Sequence, residues 1–205
     1  RILLLDFDSV QSKITVYGPD TTFDHEESAQ YSLYQEMMGG SAGVVFQEIR
    51  EARSLAYSAS GGYRPGSEVG DQNFVWGSLA CQADKTTVAT ELLVDMLHNL
   101  PDQAERWERI HAASIQRQVS SRIGFRSIPG AVESWRLQGR ETDPRAELVE
   151  SISSTSFDDL KSFAARFRNL PFTIVILGNS ERLDREALEA IAPVTEMQLE
   201  ELLSY

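Results

Sequence analysis

The opening residues Ile2-Leu3-Leu4-Leu5-Asp6-Phe7 form a continuous apolar run of the kind found in a buried strand. Ser12 to Tyr17 alternates, with Ile14 and Val16 set against Lys13 and Thr15, and predicts a second strand that Gly18-Pro19-Asp20 should stop. Asp24, with Glu26 and Glu27 behind it, opens a helix in the way a macrodipole favours. That helix runs through Tyr31, Tyr34 and Met38 to a C-cap at Gly39-Gly40. Ser41 is placed to cap a short second helix carrying Val45, Phe46, Ile49 and Arg50. Leu55 to Tyr63 is strand-like, with Leu55, Tyr57 and Ala59 on one face, and Asn73 to Cys81 returns as its antiparallel partner. In that return strand Phe74 and Trp76 face one way and Val75 and Leu79 the other.

The rest is mainly helical. Val88, Leu92, Met96 and Leu100 recur every fourth residue after a cap at Asp84. Asp102 and Glu105 stand in capping-box positions ahead of Trp107 and Ile110, and a third helix centres on 131–138. A polar stretch, Gly139 to Pro144, precedes a helix opened by Ser156 and Asp159. Phe172 to Leu177 is a β-branched strand closed by Gly178-Asn179, followed by a short helix over 187–191 and a mixed tail. Strands and helices do not alternate as in a doubly wound sheet. The expected fold is α+β, a two-layer sandwich with a mostly antiparallel sheet and helices on one face. Length and apolar content suit one domain spanning 1–205.

Charge narrows the function classes. The net charge is −12, and no cluster of Lys and Arg exists to displace counterions from nucleic acid or to seek an anionic membrane surface. The same balance predicts a mild preference for basic partners. No apolar run approaches the length needed to cross a bilayer. A single cysteine, Cys81, excludes an internal disulfide framework and a Cys-based zinc site, and reads as a small buried hydrophobe. The chain starts at Arg1 rather than Met, which suggests excision from something longer.

Candidate chemistry is sparse. The three histidines, His25, His98 and His111, are isolated from one another and from carboxylates at ligand spacing, so each reads as a surface, cap or core residue. No Gly-x-Ser-x-Gly elbow is present. Gly40-Ser41-Ala42-Gly43 lacks the ending of a phosphate loop and reads as a C-cap followed by an N-cap. Taken alone, Arg50 reads as the partner of a nearby carboxylate and Tyr57 as a core residue.

The informative stretch runs from Tyr34 through Gly39, Gly40 and Gly43 to Phe46, Ile49, Arg50, Glu51, Leu55, Ala56 and Tyr57. It joins a helix, a glycine break, a second helix and a strand entry in fixed register. It resembles the signature of the pitrilysin/insulinase family of zinc metallopeptidases, which includes the mitochondrial processing peptidases. The resemblance implies one of two homologous domains that close as a clam-shell around a chamber. The family's His-x-x-Glu-His zinc motif is absent here, so the chain resembles the C-terminal, non-zinc-binding half.

That implies no metal and no cofactor in this chain, with zinc supplied by a homologous partner domain, in the same polypeptide or another subunit. It also implies a peptide substrate and no nucleic-acid or membrane partner. In active relatives this half supplies an Arg and a Tyr seven residues apart, and Arg50 and Tyr57 stand in those places. A guanidinium that never deprotonates and a phenol O–H would hold the peptide and stabilise charge on its carbonyl oxygen. The alternative the family allows is an inactive structural subunit. Two departures bear on this: the glycine run is broken as Gly-Gly-Ser-Ala-Gly, and Ser54 stands where the family carries a glycine. Bacterial relatives of this kind suggest an exported or periplasmic protein.

Overall fold

The computed structural model describes residues 1–198. The end of the mixed tail read from the sequence, 199–205, lies outside the described residues. Six strands form one sheet: β1 (Ile2–Asp6), β2 (Gln11–Thr22), β3 (Ala56–Arg64), β4 (Gln72–Gln82), β5 (Thr173–Gly178) and β6 (Val194–Met197), in the order β3-β4-β2-β5-β1-β6. The pairs β3–β4, β4–β2 and β2–β5 are antiparallel, while β5–β1 and β1–β6 are parallel. The sheet is therefore mixed and mostly antiparallel, in an α+β fold as expected.

Eight α-helices accompany it among the described residues: α1 (Ser28–Met38), α2 (Val44–Phe46), α3 (Thr86–His98), α4 (Ala104–Ser120), α5 (Ile128–Leu137), α6 (Arg145–Ser154), α7 (Phe157–Ala165) and α8 (Arg185–Ile191). The central strands β2, β4 and β5 alternate. Ile14, Val16, Val75, Leu79, Ile174 and Ile176 are buried beneath the helices, α1 lying against β3 and α3 against β4. Burial of apolar surface on this face is the main driving force for the fold, at about 25 cal/mol per Å². Lys13, Thr15, Tyr17, Phe74, Trp76, Val175 and Leu177 point from the other face and keep part of their surface in water.

Three local expectations are corrected, and one helix is added. Gly18-Pro19-Asp20 does not end β2, which continues to Thr22 through an irregularity after Pro19. Pairing with β5 stops at Tyr17, so Pro19 sits where only β4 flanks the strand and its missing N–H is tolerated. On α3 the buried side is Ala89, Leu93, Met96 and Leu97, whereas Val88 is exposed. The close approach of the helix to the sheet decides this: a Cβ on Gly77 would lie 2.9 Å from Leu93 Cδ1. At α4 the N-cap is Gln103 and no side-chain cap bond forms, so the capping box read at Asp102 and Glu105 is absent. Helix α6 had no counterpart in the sequence reading; Ile152 is its one buried residue, and the helix packs against α1 and α4.

Other expectations hold. Ser156 and Asp159 form a capping box at α7. His98 Nε2 lies 3.1 Å from the Leu170 carbonyl and His111 Nε2 lies 2.7 Å from that of Ile152, each ring stacked on an aromatic neighbour. Cys81 is buried, which pushes its thiol pKa up. Far along β3, the Arg166 guanidinium binds Glu27 and Asp20, the latter at 2.7 Å, while Tyr63 donates to Asp20 at 2.6 Å. This network ties α7 to β2 and β3.

Candidate functional site

The glycine break sets the direction of everything after it. α1 ends at Gly39, whose N–H bonds the Gln35 carbonyl at 2.8 Å. Gly40 takes φ +66°, a left-handed conformation that a side chain opposes. The N-cap of α2 is Gly43, not Ser41; a Cβ there would sit 2.1 Å from the Gly39 carbonyl oxygen. Ser41 instead offers its carbonyl to Gln47 Nε2 at 2.8 Å. Val44, Val45 and Ile49 are fully buried and fix the short helix against the sheet.

The helix then widens into a π-helical segment, Gln47–Ala52, a geometry met often at functional sites. It closes through two crossing bonds, Ser54 N–H to the Arg50 carbonyl at 3.0 Å and Leu55 N–H to that of Ile49 at 2.9 Å. Closure needs a left-handed residue between them, and Ser54 supplies it at φ +52°. Among the described residues it is the one non-glycine with positive φ.

The strand entry is irregular too. Ala56 pairs with Cys81 and Ser58 with Ala80, leaving Tyr57 as the extra residue of a β-bulge. The expectation that Leu55, Tyr57 and Ala59 share a face fails for this reason: Ala59 is 5% exposed and Tyr57 is 73% exposed. The bulge turns the phenol outward, so Tyr57 is not a core residue.

These devices bring Arg50 and Tyr57 together. The guanidinium carbon lies 5.3 Å from the Tyr57 ring centroid and 4.9 Å from that of Phe46, so the cation sits between two aromatic faces. Arg50 Nε is 3.6 Å from a Glu51 carboxylate oxygen, both side chains half exposed, a pairing of little energetic weight. Both residues line an open cleft of about 540 Å³. Gln11, Gln82, Lys85 and Glu51 line it as well. Of these, only Glu51 belongs to the motif read from the sequence. Gln11, Gln82 and Lys85 come from the ends of different elements and form no linear motif; the sheet register, Gln11 opposite Gln82, assembles them.

Chemically the cleft offers cationic and hydroxyl donors on a rigid rim and no nucleophile–base pair. Among the described residues, no group of three or more His, Cys, Asp or Glu side chains is placed to hold a metal ion. His98 and His111 are engaged with backbone carbonyls and aromatic rings. The donor set does not fit zinc. No helix among the described residues is long and apolar enough to cross a membrane.

The family model described as "Peptidase M16 inactive domain" matches residues 2–113. Among curated proteins, none matches. The fold is similar to a peptidase M16 inactive domain from Pseudomonas fluorescens, with a TM-score of 0.71 and 17% identity over 87% of this chain and 43% of that one. It is similar to a protease from Helicobacter pylori, TM-score 0.70 and 13% identity over 86% of this chain and 43% of that one. It is also similar to a chain of complex III2 from Candida albicans with Inz-5 bound, TM-score 0.67 and 12% identity over 93% and 49%. The chain thus spans less than half the length of each of these three chains.

Proposed function

The chain belongs to the peptidase M16 inactive-domain family, and from that premise we propose that it is the substrate-holding half of a two-domain zinc peptidase. Residues 1–205 form one domain of the C-terminal type. A homologous zinc-bearing domain, in the same polypeptide or a partner subunit, supplies the metal and the attacking water. This chain contributes Arg50 and Tyr57, which hold an extended peptide and stabilise the oxygen that gains charge as water adds to the carbonyl. The guanidinium stays protonated at any working pH, and the phenol donates without needing a base.

One observation carries the reading: a bulge and a left-handed turn, both local irregularities, act together to set these two side chains side by side on the wall of an open cleft. Peptide cleavage by the assembled pair of domains tests it. Arg50→Ala and Tyr57→Phe are each expected to reduce kcat by about 100-fold, the scale of losing one preorganised donor. Unchanged turnover in both removes the two residues from the reaction.

A structural subunit is the second reading. It is favoured by Ser54 in the family's glycine position and by the fold's likeness to a chain of complex III2. Absence of peptide cleavage with a zinc-loaded partner domain would select it.

A further inference from the structure

The sheet register sets Gln11 opposite Gln82, and Cys81 opposite Ala56. The start of β2, the end of β4 and the start of β3 therefore lie abreast. Two cavities meet there. One is the cleft of Arg50 and Tyr57. The other, of about 370 Å³, is walled by Phe7, Val10, Lys13 and Leu177. Gln11 lines both, so they are neighbours along one trough with an amide donor and acceptor at the shared wall.

The charge of the trough opposes that of the chain. A chain of net charge −12 holds only three lysines, Lys13, Lys85 and Lys161, and two of them line these cavities. With Arg50 they make three cations against one carboxylate, Glu51. Lys13 has no ion-pair partner among the described residues. It stands in register with Leu177, on the sheet face that the helices leave open. Among the described residues Lys85 meets only the exposed Asp84 beside it, at 3.4 Å. Next to these cations, Phe7 and Val10 are 53% and 71% exposed, apolar surface set out at the mouth of a cavity.

We infer that this trough is a specificity subsite for peptides carrying an acidic side chain close to a bulky apolar one. The inference rests on the peptide-holding reading above. In an extended segment alternate side chains share a face about 6.6 Å apart, so residues two positions apart can enter both cavities. The carboxylate is drawn to the Arg50, Lys85 and Lys13 cations, and the apolar group covers Phe7, Val10 and Leu177. On a chain of net charge −12 the trough is a local reversal of sign, and selection depends on its cations. The whole-chain charge alone pointed to basic partners; the local field points the other way.

The test uses the chain assembled with its zinc-bearing domain and labelled peptides identical except for Glu against Gln two residues from a Leu. At low salt the wild type is expected to favour the Glu peptide about fivefold in kcat/KM, with the preference fading as salt rises. In the Lys13→Gln/Lys85→Gln variant, both exposed and dispensable for packing, the ratio should fall close to one. Val10→Ser should narrow the preference for Leu over Ala at the position two residues away. Fluorescence anisotropy of the same peptides reads the preference even where cleavage is absent. Equal treatment of Glu and Gln by the wild type, or a preference that survives the double lysine variant, overturns the subsite. Those results leave the peptide-holding reading intact if Arg50→Ala still depresses turnover of both peptides. Turnover indifferent to Arg50→Ala and Tyr57→Phe ends that reading separately.

Discussion

The Arg50 guanidinium carbon stands 5.3 Å from the centre of the Tyr57 ring, although the two residues belong to different elements. Seven positions of regular helix or strand would not bring them together in this way. The meeting depends on the turn between them, and that turn depends on a serine held at φ +52°.

Ser54 should therefore be a site of stored backbone strain. A left-handed conformation costs an L-residue about 1 kcal/mol, and glycine escapes most of it. Ser54→Gly is expected to raise the unfolding midpoint in urea by an amount worth about 0.5–1 kcal/mol, and Ser54→Val to lower it. A destabilised glycine variant would mean that the serine is held by something other than tolerance.

Gly43 is constrained by space instead. Its missing Cβ would fall 2.1 Å from a backbone oxygen, which cannot move without opening the turn after α1. Gly43→Ala is expected to cost about 2–3 kcal/mol and to shift the cleft-facing Arg50 through the helix that follows. Thermal unfolding reads the first effect. Loss of peptide turnover beyond that caused by unfolding reads the second.

Arg166 neutralises Asp20, whose side chain is 6% exposed, and Glu27. Burial opposes its charge, but hydrogen bonding to Glu27 and the charges of Asp20 and Glu27 outweigh it and hold the guanidinium protonated. Arg166→Met leaves two carboxylates partly buried without a cation and should cost about 3 kcal/mol in equilibrium unfolding. A double variant that also replaces Asp20 with Asn should recover part of that loss. No recovery would show that the two residues are not coupled.

Three phenols should titrate late. Burial raises the pKa of Tyr34 and Tyr31, and burial with a hydrogen bond to Asp20 raises that of Tyr63, above the ordinary 10.0. Because the folded values are raised, the stability these groups contribute is complete below about pH 10 and is lost as pH climbs through the folded values. The melting temperature should fall in alkali, and phenolate absorbance from these rings should appear only with unfolding. The Tyr34 hydroxyl makes no hydrogen bond to a described residue, so Tyr34→Phe should be neutral at pH 7 and should flatten the alkaline fall. An alkaline profile unchanged in that variant would contradict the assignment.

Much of this protein was legible in the order of its residues. Period-two alternation at Ile14 and Val16, and again over Asn73 to Cys81, gave strands and their buried face, because a pleated strand facing a core must alternate. Ser156 and Asp159 announced α7, because a capping box is made within four residues. The glycine break and the Arg50–Tyr57 spacing carried the family resemblance, since each is a local requirement written in adjacent positions.

The tertiary structure alone decided the rest. Nothing near Tyr57 says that it is the extra residue of a bulge; its exposure follows from how β3 registers on β4. The exposed side of α3 followed from where the sheet's glycines let the helix approach, and not from the apolar spacing of Val88, Leu92 and Met96. Gln11, Lys13 and Lys85 join one trough only because strands distant in sequence end side by side. Sequence determines what depends on neighbours a few bonds away. What depends on the meeting of remote segments, including the sign of the charge that a substrate would encounter, exists only once the chain has folded.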